Sequence, residues 1–122
     1  MKPAPFSIRA RARSFGYAWE GIIAFVRREH NAWLHCIATI AVAVLAFVVD
    51  LTNTEIIALV FAVGFVWVAE MFNTCIEHIM DFISTERKPA IKFIKDLSAG
   101  AVLVAAITAL IVGSIIFIPK IF

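Results

Sequence analysis

Apolar and polar positions do not alternate finely along this chain; they fall into blocks. The first apolar block is "AWLHCIATIAVAVLAFVV", residues 32–49. The second runs from Ile56 to about Ile79, and the third from about Leu97 to Ile118. Each holds roughly 18 residues or more, which as a helix matches the ~30 Å hydrocarbon core of a bilayer. The blocks predict three transmembrane helices, at about 32–49, 55–80 and 95–118. The first two are joined by "DLTNTE", a short polar turn without Lys or Arg. The last two are joined by "DFISTERKPAIKFIKD", in which Pro89 either breaks the loop or opens the next helical turn.

The first 30 residues follow a different period. Wound at about 100° per residue, Ile8, Phe15, Trp19, Ile22, Ile23 and Val26 share one face. Arg9, Arg13, Tyr17, Glu20, Arg27 and Arg28 take the other, and Arg11 breaks the pattern. An amphipathic helix over about 5–30, lying in the headgroup region, suits this distribution. A soluble helix packed on a partner is the plainer alternative. Pro3 and Pro5 keep the first residues irregular. The expected fold is an all-α membrane protein, a single membrane domain over residues 1–122 with one surface helix and three spans.

Composition strengthens the membrane reading. The chain is 62% hydrophobic with a mean hydropathy of +0.94, far above a soluble domain. A net charge of +2 gives no case for nucleic-acid binding. The basic residues are clustered. Arg9, Arg11, Arg13, Arg27 and Arg28 precede the first span; Arg87, Lys88, Lys92 and Lys95 lie between the last two; only Lys120 follows the third. This bias predicts a cytoplasmic N-terminus and second loop, with the "DLTNTE" turn and the C-terminus opposite. Cys36 and Cys75 fall inside apolar blocks without metal-like spacing and read as reduced packing residues. The basic N-terminus is not followed by a short apolar core and cleavage site, so no removable signal peptide is expected. Neither GxxxxGK[ST] nor GxGxxG occurs, which excludes a soluble NTPase fold.

The second span ends in "VAEMFNTCIEHIMD", residues 68–81. On a helix, Glu70, Asn73, Glu77 and Asp81 fall within an arc of about 80°. Counted from Thr54, Glu70 lies about 24 Å along, inside the hydrocarbon near its cytoplasmic edge. A carboxylate at the bilayer centre costs about 3 kcal/mol and normally faces protein or water. Three helices offer little interior, so this face implies an oligomer. Glu29, Lys95 and Asp96 come to the level of Glu77. Such a cluster offers hard oxygen ligands for Mg²⁺ and a cation for phosphate. Plainer roles compete: a solvated helix boundary for Asp81, Glu86 and Asp96, an interhelical hydrogen bond for Glu70 with Asn73, packing for His35, and interface anchoring for Trp19, Trp33 and Trp67. An ion or proton pathway would want polar groups along the whole span, yet residues 56–69 and 101–118 contain almost none. A non-enzymatic scaffold would tolerate Glu70→Gln.

"AEMFNTCIEHIMD", then "KDLSAGAVLVAA", with "GYAWEGI" and "REHN" upstream, resembles the bacterial diacylglycerol kinase and undecaprenol kinase family over roughly residues 9–118. The resemblance implies a homotrimeric bundle with sites built between subunits at the cytoplasmic membrane surface. It implies transfer of the ATP γ-phosphate, with Mg²⁺, to the primary hydroxyl of a lipid. By position it makes Glu70 the general base, with Asn73 orienting the site. Glu29 and Glu77 would hold metal and nucleotide phosphates. Lys95 and Asp96 would bind nucleotide, with Tyr17, Glu86, Arg87 and Lys88 nearby and Asp81 in support. The family's surface-helix arginine could be Arg9, Arg11 or Arg13. His35 and Trp33 would lie on the lipid side. The diacylglycerol kinase branch tends to have an acid where His35 stands, and the undecaprenol branch a histidine; "NAW" around Trp33 also sits closer to the second. Undecaprenol is the expected substrate, diacylglycerol the alternative. Phosphoryl transfer needs positioning, charge neutralisation and a proton acceptor. Glu70, the deeper carboxylate, suits the base, and Glu77, nearer water, the metal.

Overall fold

The structure, a computed structural model, describes residues 3–122. It consists of four helices: α1 (Ile8–Arg28), α2 (His30–Val48), α3 (Asn53–Ile83) and α4 (Pro89–Ile121). No strand occurs among the described residues, and α2, α3 and α4 are each long and apolar enough to cross a membrane.

Local chemistry sets the helix ends. The Ser7 hydroxyl accepts the Ala10 N–H at 3.2 Å and caps α1, just after the two prolines. Glu29 is extended and separates α1 from α2; with Ser7 and Glu29 as its caps, α1 is shorter at both ends than the expected 5–30. Thr52 and Glu55 form a reciprocal capping box at the start of α3, with bonds of 3.2 and 3.0 Å. Thr52→Ala should cost about 1 kcal/mol, seen as a lower midpoint of thermal unfolding in detergent. Pro89 occupies the first turn of α4, where its missing N–H is harmless. The helix therefore begins a full two turns before the apolar run at Leu97. Hydropathy marks the lipid-facing part of a helix, not its polar extension.

The chain divides into two compact units, one up to Leu34 and one from His35 to Phe122. In the first, the Trp33 indole donates to the Val26 carbonyl at 3.0 Å, and Arg11 lies over the Phe6 ring at 5.8 Å. Ile8, Phe15 and Trp19 are exposed on α1, as a helix on a membrane surface requires.

In the second unit α3 and α4 pack antiparallel. They are joined at three levels: Glu55 to Lys120 at 3.3 Å, Asn73 to Ser98 at 2.7 Å, and Asp81 to Lys95. The buried stripe of α3 is Leu59, Ala62, Val66, Glu70 and Asn73. That of α4 includes Ser98, Ala105 and Ile116. The spacings of three and four along α3, and of seven between Ser98 and Ala105, belong to left-handed helix pairing, and the small residues let the backbones approach. Leu59, Ile116 and Phe117 form the core with Val42 of α2, Leu51 and Val112 around them. Large apolar residues such as Phe47, Phe61 and Leu110 are exposed, which fits lipid or another copy as their surroundings.

Candidate active site

The buried stripe of α3 changes from apolar to polar at Glu70 without leaving its face. Glu70 is only 5% exposed and Asn73 6%. Each is met by a different neighbour. The His35 Nε2 of α2 lies 2.8 Å from Glu70 Oε1, while Glu70 Oε2 is buried without a hydrogen-bond partner. Asn73 is fully engaged along its amide. Its Oδ1 accepts from the Ser98 hydroxyl of α4 at 2.7 Å, and its Nδ2 donates to Glu77 Oε1 at 3.2 Å. Polar groups of three helices thus meet at one level, as the costly burial of a carboxylate in an apolar surround demands.

A further chain of bonds supports His35. The Thr39 hydroxyl donates to the His35 carbonyl at 2.6 Å and accepts the Trp67 indole N–H at 2.8 Å. The rings of His35 and Trp67 are 6.2 Å apart. Trp67, expected as an interface anchor, instead joins α3 to α2. Ser98, Thr39 and Trp67 were not legible as site residues. Ser98 alone carried a signal, a hydroxyl one turn after Lys95 on the helix.

The remaining predicted groups of the second unit gather where α3 turns into α4. Asp81, Glu86, Arg87, Lys88, Lys95 and Asp96 line a cleft of about 570 Å³. Lys95 pairs with Asp81, Lys92 with Asp96, and Lys88 lies 4.0 Å from Glu86. These pairs are largely exposed, and such pairs contribute only about 0–1 kcal/mol. An incoming anion can displace them at small cost. Lys92 Nζ is held to Asp96, one helical turn away, and Lys92 lines the cleft with Lys95.

In the first unit, Arg9, Arg13 and Tyr17 are exposed on α1. Glu29 is half-buried just beyond its end, with its N–H on the Phe25 carbonyl and its own carbonyl accepting from Ala32. Trp33 is anchored to α1 through its indole N–H. Among the described residues no three His, Cys, Asp or Glu side chains gather as metal ligands.

The family model for prokaryotic diacylglycerol kinase matches residues 16–117. The chain is 38% identical over 108 residues to undecaprenol kinase of Bacillus subtilis, covering 88% of each protein. It is 33% identical over 107 residues to a diacylglycerol kinase of Synechocystis, covering 87% of this chain and 61% of that one. To the diacylglycerol kinase of Escherichia coli K12 it is 29% identical over 104 residues, 85% of each. The match takes in α2, α3, α4 and most of α1, and with them every element that carries the polar cluster. With three apolar helices and that cluster between them, this multi-pass membrane protein belongs to the prokaryotic diacylglycerol kinase family and is a lipid kinase.

Proposed function

We propose that the protein transfers the γ-phosphate of ATP to the primary hydroxyl of undecaprenol, working as a homotrimer at the cytoplasmic face of the inner membrane. One observation carries the reading: Glu70 is a buried carboxylate with one oxygen held by His35 and the other unpartnered. With Glu70 counted to the cytoplasmic edge of the hydrocarbon, that second oxygen is the proton acceptor for a lipid hydroxyl. Glu70 is the general base. Asn73, fixed by Ser98, orients Glu77.

The cleft at the α3–α4 turn supports a nucleotide site. Lys95, Arg87 and Lys88 offer charge to the phosphates; Asp96 and Glu86 line it with them, and Asp81 holds Lys95. Arg9, Arg13 and Tyr17, exposed on α1, join the nucleotide-binding residues on the family resemblance alone. Mg²⁺ takes oxygen ligands, often one or two carboxylates together with substrate phosphates and water. Glu77, with only Oε1 used by Asn73, fits that donor set; Glu29 is named as a second carboxylate by the family resemblance alone. The ion would neutralise phosphate charge. Glu70 is shielded within one chain, against the expectation that other copies cover it; the large apolar surface left exposed is what supports assembly of copies. Clusters of Arg and Lys before α2 and between α3 and α4 support the cytoplasmic placement of both.

The preference for undecaprenol rests on the relative of that name and on a groove of about 460 Å³ between α2 and α3. Val42, Ala46, Val60 and Gly64 line it, and it ends at Thr39 and Trp67, one turn from His35 and Glu70. Thr39 and Trp67 already satisfy each other. The groove thus offers contact to a hydrocarbon chain and no spare donor for ester carbonyls, whose burial unpaired is costly. The test is a competition in bilayers between undecaprenol and diacylglycerol for labelled phosphate from Mg-ATP. Undecaprenol should be favoured by about tenfold or more in kcat/KM. Equal or faster transfer to diacylglycerol overturns the assignment of substrate.

A further inference from the structure

His35 stands in a chain of hydrogen bonds that runs away from the reaction rather than toward it. A carboxylate can only accept, so the 2.8 Å contact makes Nε2 the donor and Glu70 Oε1 the acceptor. The backbone that carries the ring is tied across to α3: the Thr39 hydroxyl donates to the His35 main-chain carbonyl, and Trp67, one turn from Glu70 on the same helix, donates to Thr39 and sets its own ring 6.2 Å from that of His35. Beside this circuit between α2 and α3, Glu70 Oε2 is buried and unpartnered.

We propose that His35 is a positioning residue for Glu70 and that the Trp67–Thr39 bond sets its place. This rests on Glu70 being the base. By occupying Oε1, His35 leaves Oε2 as the one oxygen able to receive the hydroxyl proton, and it stops the carboxylate from rotating. In the step, the lipid O–H bond breaks and its proton passes to Oε2. The lipid oxygen forms a bond to the γ-phosphorus, and the bond from that phosphorus to the β–γ bridging oxygen breaks, its electron pair leaving on ADP. His35 touches neither lipid nor nucleotide in this scheme. Its N–H stays on Oε1 throughout, where it stabilises the carboxylate before transfer and keeps the acid aligned after it.

The experiment compares His35→Leu, His35→Gln and Trp67→Phe in bilayers, with undecaprenol and Mg-ATP. Glutamine places an amide N–H where Nε2 stands; leucine keeps the bulk and removes the donor. His35→Leu should lower kcat about 10- to 100-fold, the range for a lost hydrogen bond to a charged group, with both KM values unchanged. His35→Gln should recover kcat to within about fivefold of the wild type. Trp67→Phe, which keeps a ring and loses its N–H, should fall between, about threefold to tenfold down. Wild-type kcat in His35→Leu overturns the inference. So does a glutamine variant as slow as the leucine one while still eluting as the native oligomer, and so does a loss confined to the KM for lipid. Glu70→Gln is run beside them. Full turnover there removes the base itself, whereas full turnover in His35→Leu alone removes only the role of His35.

Discussion

Glu70→Gln should abolish most turnover while leaving the protein at least as stable as before. The loss expected for a general base is about 10²- to 10⁴-fold in kcat. Stability moves the other way. The wild-type carboxylate is buried with one oxygen unpartnered, and glutamine replaces an ionisable group with a neutral amide that can still accept from His35. An intramembrane carboxylate costs on the order of 3 kcal/mol on insertion scales, part of which the substitution returns. Nucleotide binding should persist, because the cleft at the α3–α4 turn does not include Glu70. Kinetics with labelled ATP, nucleotide binding and thermal unfolding of one preparation test all three. Retained turnover removes Glu70 as base; a large loss of stability shows that the substitution acts through folding.

Glu77→Gln has the second largest expected effect, on a different variable. Glutamine can still accept from Asn73 at the place of Oε1, so local geometry is preserved and only the charge is lost. Half-saturating Mg²⁺ should rise by at least the ~10- to 100-fold typical of altered metal surroundings, with the KM for ATP rising alongside. Part of the lost kcat should return at high Mg²⁺, which distinguishes Glu77 from Glu70. An unchanged Mg²⁺ requirement would exclude Glu77 as a ligand.

The helices were legible because runs of about 20 apolar residues have few other uses. The polar face was legible because three- and four-residue spacings persist through Glu70, Asn73, Glu77 and Asp81, and the buried stripe of α3 continues into it as far as Asn73. The residues from Glu86 to Asp96, at the turn and the start of α4, could be grouped because they are close in sequence. Pairings between helices were not legible. Nothing in "WLHC" says that its histidine meets a glutamate 35 positions away, since that depends on how α2 and α3 slide past each other. Ser98 passed as an ordinary small residue at the start of a span, and Trp67 as an anchor, because a residue type does not reveal which neighbour it faces.

The three ties between α3 and α4 have a consequence for how such a chain can change over evolutionary time. Glu55–Lys120, Asn73–Ser98 and Asp81–Lys95 lie at successive levels of one antiparallel pair. A single residue inserted into either helix between two levels turns everything beyond it by about 100° and shifts it by about 1.5 Å. No side-chain exchange nearby can undo that. Drift in this pair therefore proceeds by replacement, while gains and losses of length are confined to the turns at residues 49–52 and 84–88.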